Sequence, residues 1–436
     1  MAELSGKFQY LDERGGALLQ GACRVDFDAE KFTLVPQQGA AIVVDLGDFD
    51  AVQAADWEIR LPIYTGRALV LRQFGKAYDN LAHDLLEAYR KRAVQCLLLE
   101  DLNEVERFTG NFELTSAGTS RSGPAELRLY KSNFAVLPST SQPFQWRLAD
   151  VDSLRFENYE VLLEAGCERL KITRLAKRTE EFVSRLRDAM NTLAKDSALA
   201  LHASFPFLDP DQLQACATLM REGRSARLAK LEAINPRVPA ALAVNAVDAN
   251  LKPYYDELLR RTAAGMLYAG FKLIRPEDTA DSAGDTNEAS DESVAVADNT
   301  SAAADADHSG SDTLYWFFFP IAAKPGSPNV IAWEASSRSG RATYFFRLGE
   351  SGASQEGVDQ AVQRINRALG VLNFRRRPIY LSEDVLEGNP QFRRYAIAAR
   401  RIPELREARA SFLGRAIHSS FDAWKAQVDS ILAKAT

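Results

Sequence analysis

Arginines are concentrated in one part of this chain, where their side chains could bind an anion. Twelve arginines lie between residues 364 and 415, against five Asp and Glu residues in the same stretch. Seven of these arginines form three tight groups, which are Arg375, Arg376, Arg377, Arg393, Arg394, Arg400 and Arg401. The guanidinium group is planar and makes paired hydrogen bonds to phosphate or carboxylate groups. The seven residues are therefore predicted to bind an anion or an anionic partner.

An acidic segment of the same chain is one candidate for that anion. Residues 277–312 carry eleven Asp and Glu residues and no Lys or Arg, and without them the net charge of −6 would become +5. Because the segment has too little apolar surface to offset its ordering entropy, its composition predicts a disordered acidic loop over 276–312. We hypothesise that this loop occupies the arginine-rich face when no partner is bound. The plainer alternative is a solvated basic face without a ligand.

Residue patterns for catalysis, cofactor binding or metal binding are absent from the sequence. The four cysteines contain no Cys-x-x-Cys pair, and the four histidines are isolated from one another. The Gly75-Lys76 pair lacks both the preceding glycine and the following Ser or Thr of a phosphate-binding loop. We therefore expect a protein that is not an enzyme and that holds no cofactor and no metal.

The part of the chain before these arginines contains a duplicated segment. Residues 23–91 and 124–192 follow one pattern, in which Trp57-Glu58 aligns with Tyr159-Glu160 at a spacing of 102 residues. Each copy first alternates apolar with polar residues, as strands do, and then repeats apolar residues every three or four positions, as helices do. About six short strands and one closing helix are predicted for each copy. We place the two modules at 1–105 and 112–196.

This order of elements resembles the pleckstrin-homology superfold, an antiparallel barrel that is closed by a C-terminal helix. The resemblance rests on the pattern and on the duplication, without a signature motif. It implies an α+β protein with two tandem barrels. Family members that bind phosphoinositides usually carry Lys and Arg on the first hairpin. The loops assigned here to that hairpin, Asp26–Lys31 and Tyr130–Asn133, hold few positive charges.

Three further segments are predicted after the duplicated modules. A helical connector over 197–264 should contain one helix that begins after Asp209 and runs to Ile234, and another across 251–264. Residues 265–374 are predicted to form a third module of strands and a helix, related to the first two, with the acidic loop inserted. Residues 375–436 hold the grouped arginines, and one long helix is expected over 403–432.

These expectations favour a function in binding. A duplicated module without catalytic residues multiplies binding surfaces. We therefore expect a cytoplasmic scaffold or adaptor that binds other proteins through its pleckstrin-like modules. Peripheral binding to anionic lipid headgroups is one alternative. Another is an acidic-loop chaperone or shield for a basic partner, a layout that resembles some histone chaperones. Nucleic acid is not favoured, and no stretch approaches the roughly 18 apolar residues of a membrane span.

Overall fold

The computed structural model describes residues 4–116, 118–245, 247, 249–273, 313–323, 327–335, 342–349 and 354–435. These residues form two compact units, one of 1–190 with 383–402 and one of 191–382 with 403–436. The predicted α+β class is confirmed. The predicted acidic loop over 276–312 lies outside the described residues.

The first unit contains two antiparallel sheets of seven strands, each curled into a half-barrel and followed by a helix. Module 1 consists of β1 (Leu4–Leu11), β2 (Ala17–Phe27), β3 (Lys31–Pro36), β4 (Ile42–Asp45), β5 (Gln53–Ala55), β6 (Glu58–Pro62), β7 (Ala68–Arg72) and α1 (Tyr78–Cys96). Module 2 consists of β8 (Glu104–Ser116), β9 (Thr119–Tyr130), β10 (Asn133–Pro138), β11 (Phe144–Arg147), β12 (Ser153–Glu157), β13 (Glu160–Ala165), β14 (Glu168–Thr173) and α2 (Thr179–Ser204). The two half-barrels are compatible with a pleckstrin-like fold.

The predicted duplication is confirmed by the topology. The strand orders are β4-β3-β2-β1-β7-β6-β5 in module 1 and β11-β10-β9-β8-β14-β13-β12 in module 2. The register agrees as well, because Phe8 pairs with Leu71 in module 1 as Phe112 pairs with Ile172 in module 2. Each closing helix packs its apolar stripe into the core of its own sheet. In module 1, Leu85 of α1 is fully buried in the cluster that the sheet forms.

Each module has seven strands, so the expected number of about six was too low. The strand that was missed is the first one, β1 or β8, which lies before the aligned repeat. In β1 only Phe8 is fully buried, so the alternation that marks a half-buried strand is weak there. Two corrections follow. The loops Asp26–Lys31 and Tyr130–Asn133 belong to the second hairpin, and the predicted start of module 2 at 112 falls inside β8.

The second unit is built around a six-stranded antiparallel sheet in the order β15-β16-β17-β18-β19-β20. Its strands are β15 (Ala226–Arg227), β16 (Tyr268–Leu273), β17 (Thr313–Ile321), β18 (Val330–Ala335), β19 (Ala342–Arg347) and β20 (Phe412–Ile417). The helices that follow module 2 are α3 (Pro210–Leu219), α4 (Leu228–Ile234), α5 (Val238–Asn245), α6 (Lys252–Arg261), α7 (Gln355–Val371), α8 (Arg377–Tyr380), α9 (Glu383–Gly388), α10 (Arg393–Arg401), α11 (Pro403–Ser411) and α12 (Phe421–Lys434). Of these, α9 and α10 lie in the segment 383–402 and belong to the first unit, and the others belong to the second unit.

Two helices that were predicted as continuous are interrupted. The helix expected from Pro210 to Ile234 ends at Leu219, because Gly223 adopts a left-handed φ of 80° and Ala226–Arg227 pairs with β16. The helix expected over 403–432 is divided by β20, which supplies the partner that the edge of β19 needs. A new helix then begins after Ser420, whose side chain caps the backbone N–H of Ala423. The helix expected across 251–264 is confirmed as α6.

The third sheet is not another copy of modules 1 and 2. Its strands follow one another in a simple meander, whereas the first two sheets place their first strand beside their last. Every residue of β18 is buried, as expected of a strand with both faces covered by other elements. One apolar core joins this sheet to α3, α4, α5 and α6, so the predicted connector and third module share a single core.

Candidate functional site

A short 3-10 turn of Leu46–Asp48, directly after β4, presents a buried carboxylate in module 1. The turn is capped by Asp45, whose Oδ1 accepts a hydrogen bond of 2.8 Å from the backbone N–H of Gly47. Asp48 at the end of the turn is only 6% exposed. A buried carboxylate is tolerated only when cations or donors compensate its lost hydration. The neighbours of Asp48 therefore decide what this turn can bind.

Two arginines of α10 converge on Asp48. Arg393 donates from Nη2 to Oδ2 at 2.9 Å, and Arg400 donates from Nη2 to Oδ1 at 2.7 Å. The same two guanidinium groups also pair with Glu387 of α9. Burial would lower the pKa of Arg400, but the charge and the hydrogen bond of Asp48 outweigh it and raise that pKa. We call residues 383–402 the docking segment and Gly47, Asp48 and Phe49 the turn site.

The docking segment also contacts the backbone of the turn site. Arg401 donates from Nε to the carbonyl oxygen of Gly47 at 2.6 Å and from Nη2 to the carbonyl oxygen of Phe49. Gly47 allows a close approach, because a Cβ atom there would lie 2.6 Å from the Sγ of Cys96 and 3.0 Å from Cδ1 of Ile397. The helix α10 is thus held by charge, by backbone carbonyls and by one apolar side chain.

A second buried ion pair lies beside the turn site. Arg92 of α1 makes a two-pronged contact with Asp45, at 3.0 Å from Nε to Oδ1 and 2.8 Å from Nη2 to Oδ2. Arg393 of α10 also approaches Asp45, at 3.7 Å from Nε to Oδ2, so the two neighbouring carboxylates share this arginine. Burial raises the pKa of the nearby Cys96 thiol to about 12, so this cysteine stays protonated at neutral pH.

Module 2 neutralises the equivalent carboxylate with a residue of its own. Asp150 matches Asp48 at the spacing of 102 residues and is likewise buried. Arg147 donates to it from Nε at 2.8 Å and from Nη2 at 3.1 Å. The residue that matches Arg147 in module 1 is Asp45, a carboxylate. Module 1 therefore lacks the local cation of module 2 and obtains its cations from residues more than 340 positions later.

The structure divides the seven predicted arginines between the two units. Arg393, Arg394, Arg400 and Arg401 lie in the docking segment, and Arg394 pairs with Glu100. Arg375, Arg376 and Arg377 belong to the other unit, where they lie at the end of α7 and the start of α8. Arg376 is buried, and Arg375 and Arg377 are half-buried. Binding of an external anion by these seven residues stays a prediction.

Asp48 was not predicted as a site residue, although the duplication contained a signal for it. The spacing of 102 residues between the two copies also matches Asp48 with Asp150. The informative difference lies three residues earlier, where Asp45 stands in the place of Arg147. An acidic position that is present in both copies, with a local cation in one copy and none in the other, indicates that a cation must come from elsewhere.

Within the described residues, no helix is long and apolar enough to cross a membrane, and no group of three or more His, Cys, Asp or Glu side chains could hold a metal ion. No protein-family model matches this chain, and a search of curated proteins finds none with significant sequence similarity.

Proposed function

We propose that this protein is a non-catalytic scaffold that binds other proteins through two pleckstrin-like modules, and that the turn site of module 1 recognises an arginine-bearing helix. The observation that carries the proposal is the convergence of Arg393 and Arg400 on the buried Asp48. In this chain the docking segment supplies the helix. A partner protein would present the same side chains in its place.

The spacing of the contacts defines the helix that the turn site accepts. Arg393 and Arg400 are seven residues apart, which places them on one face of a helix two turns apart. Ile397 lies between them on that face and approaches Gly47. Arg401 adds the bonds to two carbonyl oxygens. The recognised pattern is therefore Arg-x-x-x-Ile-x-x-Arg-Arg on a helix.

Geometry of this kind favours selectivity over raw affinity. Both oxygens of Asp48 face guanidinium groups, and each planar guanidinium spans Asp48 and Glu387, a geometry that the compact ammonium of lysine does not reproduce. A buried ion pair adds little net stability, yet leaving one partner unpaired costs several kcal/mol. A helix without the two arginines would leave Asp48 buried and uncompensated, and the turn site should reject it.

A peptide added in trans to the full-length chain tests the proposal. In the variant R393E/R400E the chain's own docking segment should leave the turn site. A fluorescent peptide with the sequence of residues 383–402 should then bind this variant, as measured by fluorescence anisotropy. The unaltered chain should bind the peptide at least about tenfold more weakly, since an attached segment competes at a local concentration in the millimolar range.

The controls separate recognition from general charge attraction. A peptide in which the positions of Arg393 and Arg400 carry glutamate should not bind, and adding D48N to the variant chain should abolish the binding of the native peptide. Circular dichroism would verify that each variant stays folded. Equal binding of the native and the glutamate peptides by a folded variant chain would contradict the proposal.

The other two readings of the sequence stay predictions. For lipid binding, the turn of the first hairpin in module 1 holds Asp12, Glu13 and Arg14, so its charge does not favour an anionic surface. Co-sedimentation with vesicles that contain anionic lipid would test it. For the acidic-loop shield, binding of a basic protein should be lost when 277–312 are deleted.

A further inference from the structure

The two modules present one aromatic side chain each at the tip of an equivalent hairpin. Trp57 lies between β5 and β6 and is 65% exposed, and Tyr159 lies between β12 and β13 and is 71% exposed. Both belong to two-residue turns in which both φ angles are positive, 51° and 61° for Asp56 and Trp57. Asn-Gly is the sequence that such turns prefer. A bulky aromatic residue at the second position therefore comes at a conformational cost in both copies.

In module 1 the exposed ring is held in place by a second aromatic residue. The rings of Trp57 and Tyr78 lie 5.1 Å apart between centroids, at an interplanar angle of 46°. Tyr78 is itself fixed, because its hydroxyl donates to the carbonyl oxygen of Glu58 at 3.2 Å. The contact orders Trp57 and leaves most of its indole surface open to solvent. An ordered, exposed indole is the aromatic surface that attracts cations most strongly.

Carboxylates surround this aromatic pair. Burial raises the pKa of Tyr78, and the negative charges of Asp79, Asp56 and Glu58 raise it further, so all three carboxylates act on the same hydroxyl. Glu58 is neutralised by Arg72 at 2.6 Å. Asp56 and Asp79 are both exposed, and neither makes an ion pair with another residue of the described chain. Two uncompensated negative charges, one on the residue before Trp57 and one on the residue after Tyr78, therefore lie close enough to act on this aromatic pair.

We propose that Trp57, Tyr78, Asp56 and Asp79 form a binding site for an arginine or lysine side chain of a basic protein segment. The indole face would contact the cation and the two carboxylates would pair with it. The site lies on an exposed hairpin tip, which suits a side chain that a protein partner presents. It is separate from the turn site, and it stands even if the docking segment has no partner in trans.

Module 2 provides the internal comparison. Tyr159 keeps the exposed aromatic ring, but Asn158 takes the place of Asp56, and Thr179, the first residue of α2, takes the place of Tyr78, the first residue of α1. The tip of module 2 thus lacks one carboxylate and the supporting ring. Cation binding should be strong at the tip of module 1 and weak at that of module 2, and the substitution Y159A is a matched control for W57A.

Fluorine NMR of the full-length chain, labelled with 5-fluorotryptophan, tests the site directly. The chain has five tryptophans, and the resonance of Trp57 is identified by its loss in the W57F variant. The probe is a peptide of alternating arginine and glycine, and the control is the same peptide with citrulline in place of arginine. The arginine peptide should shift the Trp57 resonance in a saturable manner, and the citrulline peptide should not.

Affinities measured by anisotropy with the same labelled peptide complete the test. W57A should weaken binding at the tip by about 2- to 5-fold, the range expected for one exposed cation–aromatic contact. D56N/D79N should weaken it as well, whereas Y159A should change it by less than about 2-fold. Peptide bound to the acidic residues 277–312 would not move the Trp57 resonance. A Trp57 resonance that stays unmoved at saturating peptide, in a folded chain, overturns the proposal.

Discussion

Arg400 donates a hydrogen bond of 2.7 Å to the buried carboxylate of Asp48, a residue 352 positions earlier in the chain. This contact ties the docking segment to module 1, although the residues on both sides of the segment belong to the other compact unit. A contact between residues so far apart in sequence costs loop-closure entropy during folding. The contact must therefore be favourable enough to offset this cost. Both oxygens of Asp48 accept a hydrogen bond, one from Arg393 and one from Arg400.

Removal of both arginines should destabilise the first unit. R393A/R400A leaves Asp48 buried without its cations, and breaking such a pair typically costs about 3–5 kcal/mol. We expect the free energy of unfolding in urea to fall by this amount. Adding D48N should recover part of the loss, because the amide does not need a cation. No recovery with D48N would indicate that the arginines act through packing alone.

An exposed ion pair of the same chemistry is the control for that experiment. Arg364 and Glu407 lie 3.3 Å apart, with side chains that are 52% and 53% exposed. Exposed pairs contribute about 0–1 kcal/mol. R364A should therefore change the free energy of unfolding by less than about 1 kcal/mol, well below the effect of R393A/R400A.

Module 2 should lose stability when its local cation, Arg147, is removed. R147A removes the partner of Asp150, and the free energy of unfolding should fall by about 3 kcal/mol because the carboxylate stays buried. The double substitution R147A/D150N should be more stable than R147A alone. Urea unfolding of the two variants in parallel measures the difference, and equal stabilities would show that Asp150 finds another partner.

The sequence predicted the parts of the fold that repeat or that follow a strong period. The duplication and the closing helices carry regular spacings of buried residues, and the strands β16 to β19 are continuous apolar runs; these elements are confirmed. The first strand of module 1 was missed because its alternation is weak, whereas β8 alternates clearly and was missed because it lies before the aligned repeat. The break in the helix over 403–432 was missed because β20 is fixed by pairing with β19, which no local pattern encodes.

The candidate site was predicted only in part, for a physical reason. The grouping of arginines pointed to an anion, and Arg393, Arg400 and Arg401 do face a carboxylate and carbonyl oxygens. The identity of that carboxylate depends on tertiary contacts over more than 340 residues. Only the comparison of Asp45 with Arg147 could have indicated it, since the loss of one local cation leaves Asp48 in need of another.

The cysteines offer a reporter for the docking segment. Cys167 is exposed, whereas Cys23, Cys96 and Cys216 are buried and have raised pKa values, so their thiols should react slowly. We expect one fast-reacting thiol per native chain with a thiol reagent such as DTNB. In R393E/R400E a second thiol should become reactive as Ile397 leaves the neighbourhood of Cys96. The further substitution C96S should remove that second reaction, and its persistence would assign it to another cysteine.

Stability should fall in alkaline solution because of Cys96. Burial raises the pKa of this thiol from 9.0 to about 12 in the folded chain, so the unfolded chain loses the proton first as the pH rises. The contribution of Cys96 is therefore full below pH 9 and decreases between pH 9 and 12, by at most about 1.4 kcal/mol per pH unit. C96S should show a shallower decline of unfolding free energy over pH 9–10.5. Parallel curves for the two proteins would contradict the assignment to Cys96.

Substitution of the exposed aromatic residue by glycine should change the free energy of unfolding differently at the two hairpin tips. Glycine adopts a positive φ without the cost that tyrosine or tryptophan bears. Y159G should therefore raise the free energy of unfolding by about 0.5–1 kcal/mol, because the exposed Tyr159 gives up little packing. W57G should gain less or lose stability, since it also removes the contact with Tyr78, and aromatic pairs contribute about 0.5–1.5 kcal/mol. Urea unfolding of both variants measures the difference. A stabilisation by W57G equal to that by Y159G would mean that the Trp57–Tyr78 contact does not order the ring, and the cation site would lose its rigid base.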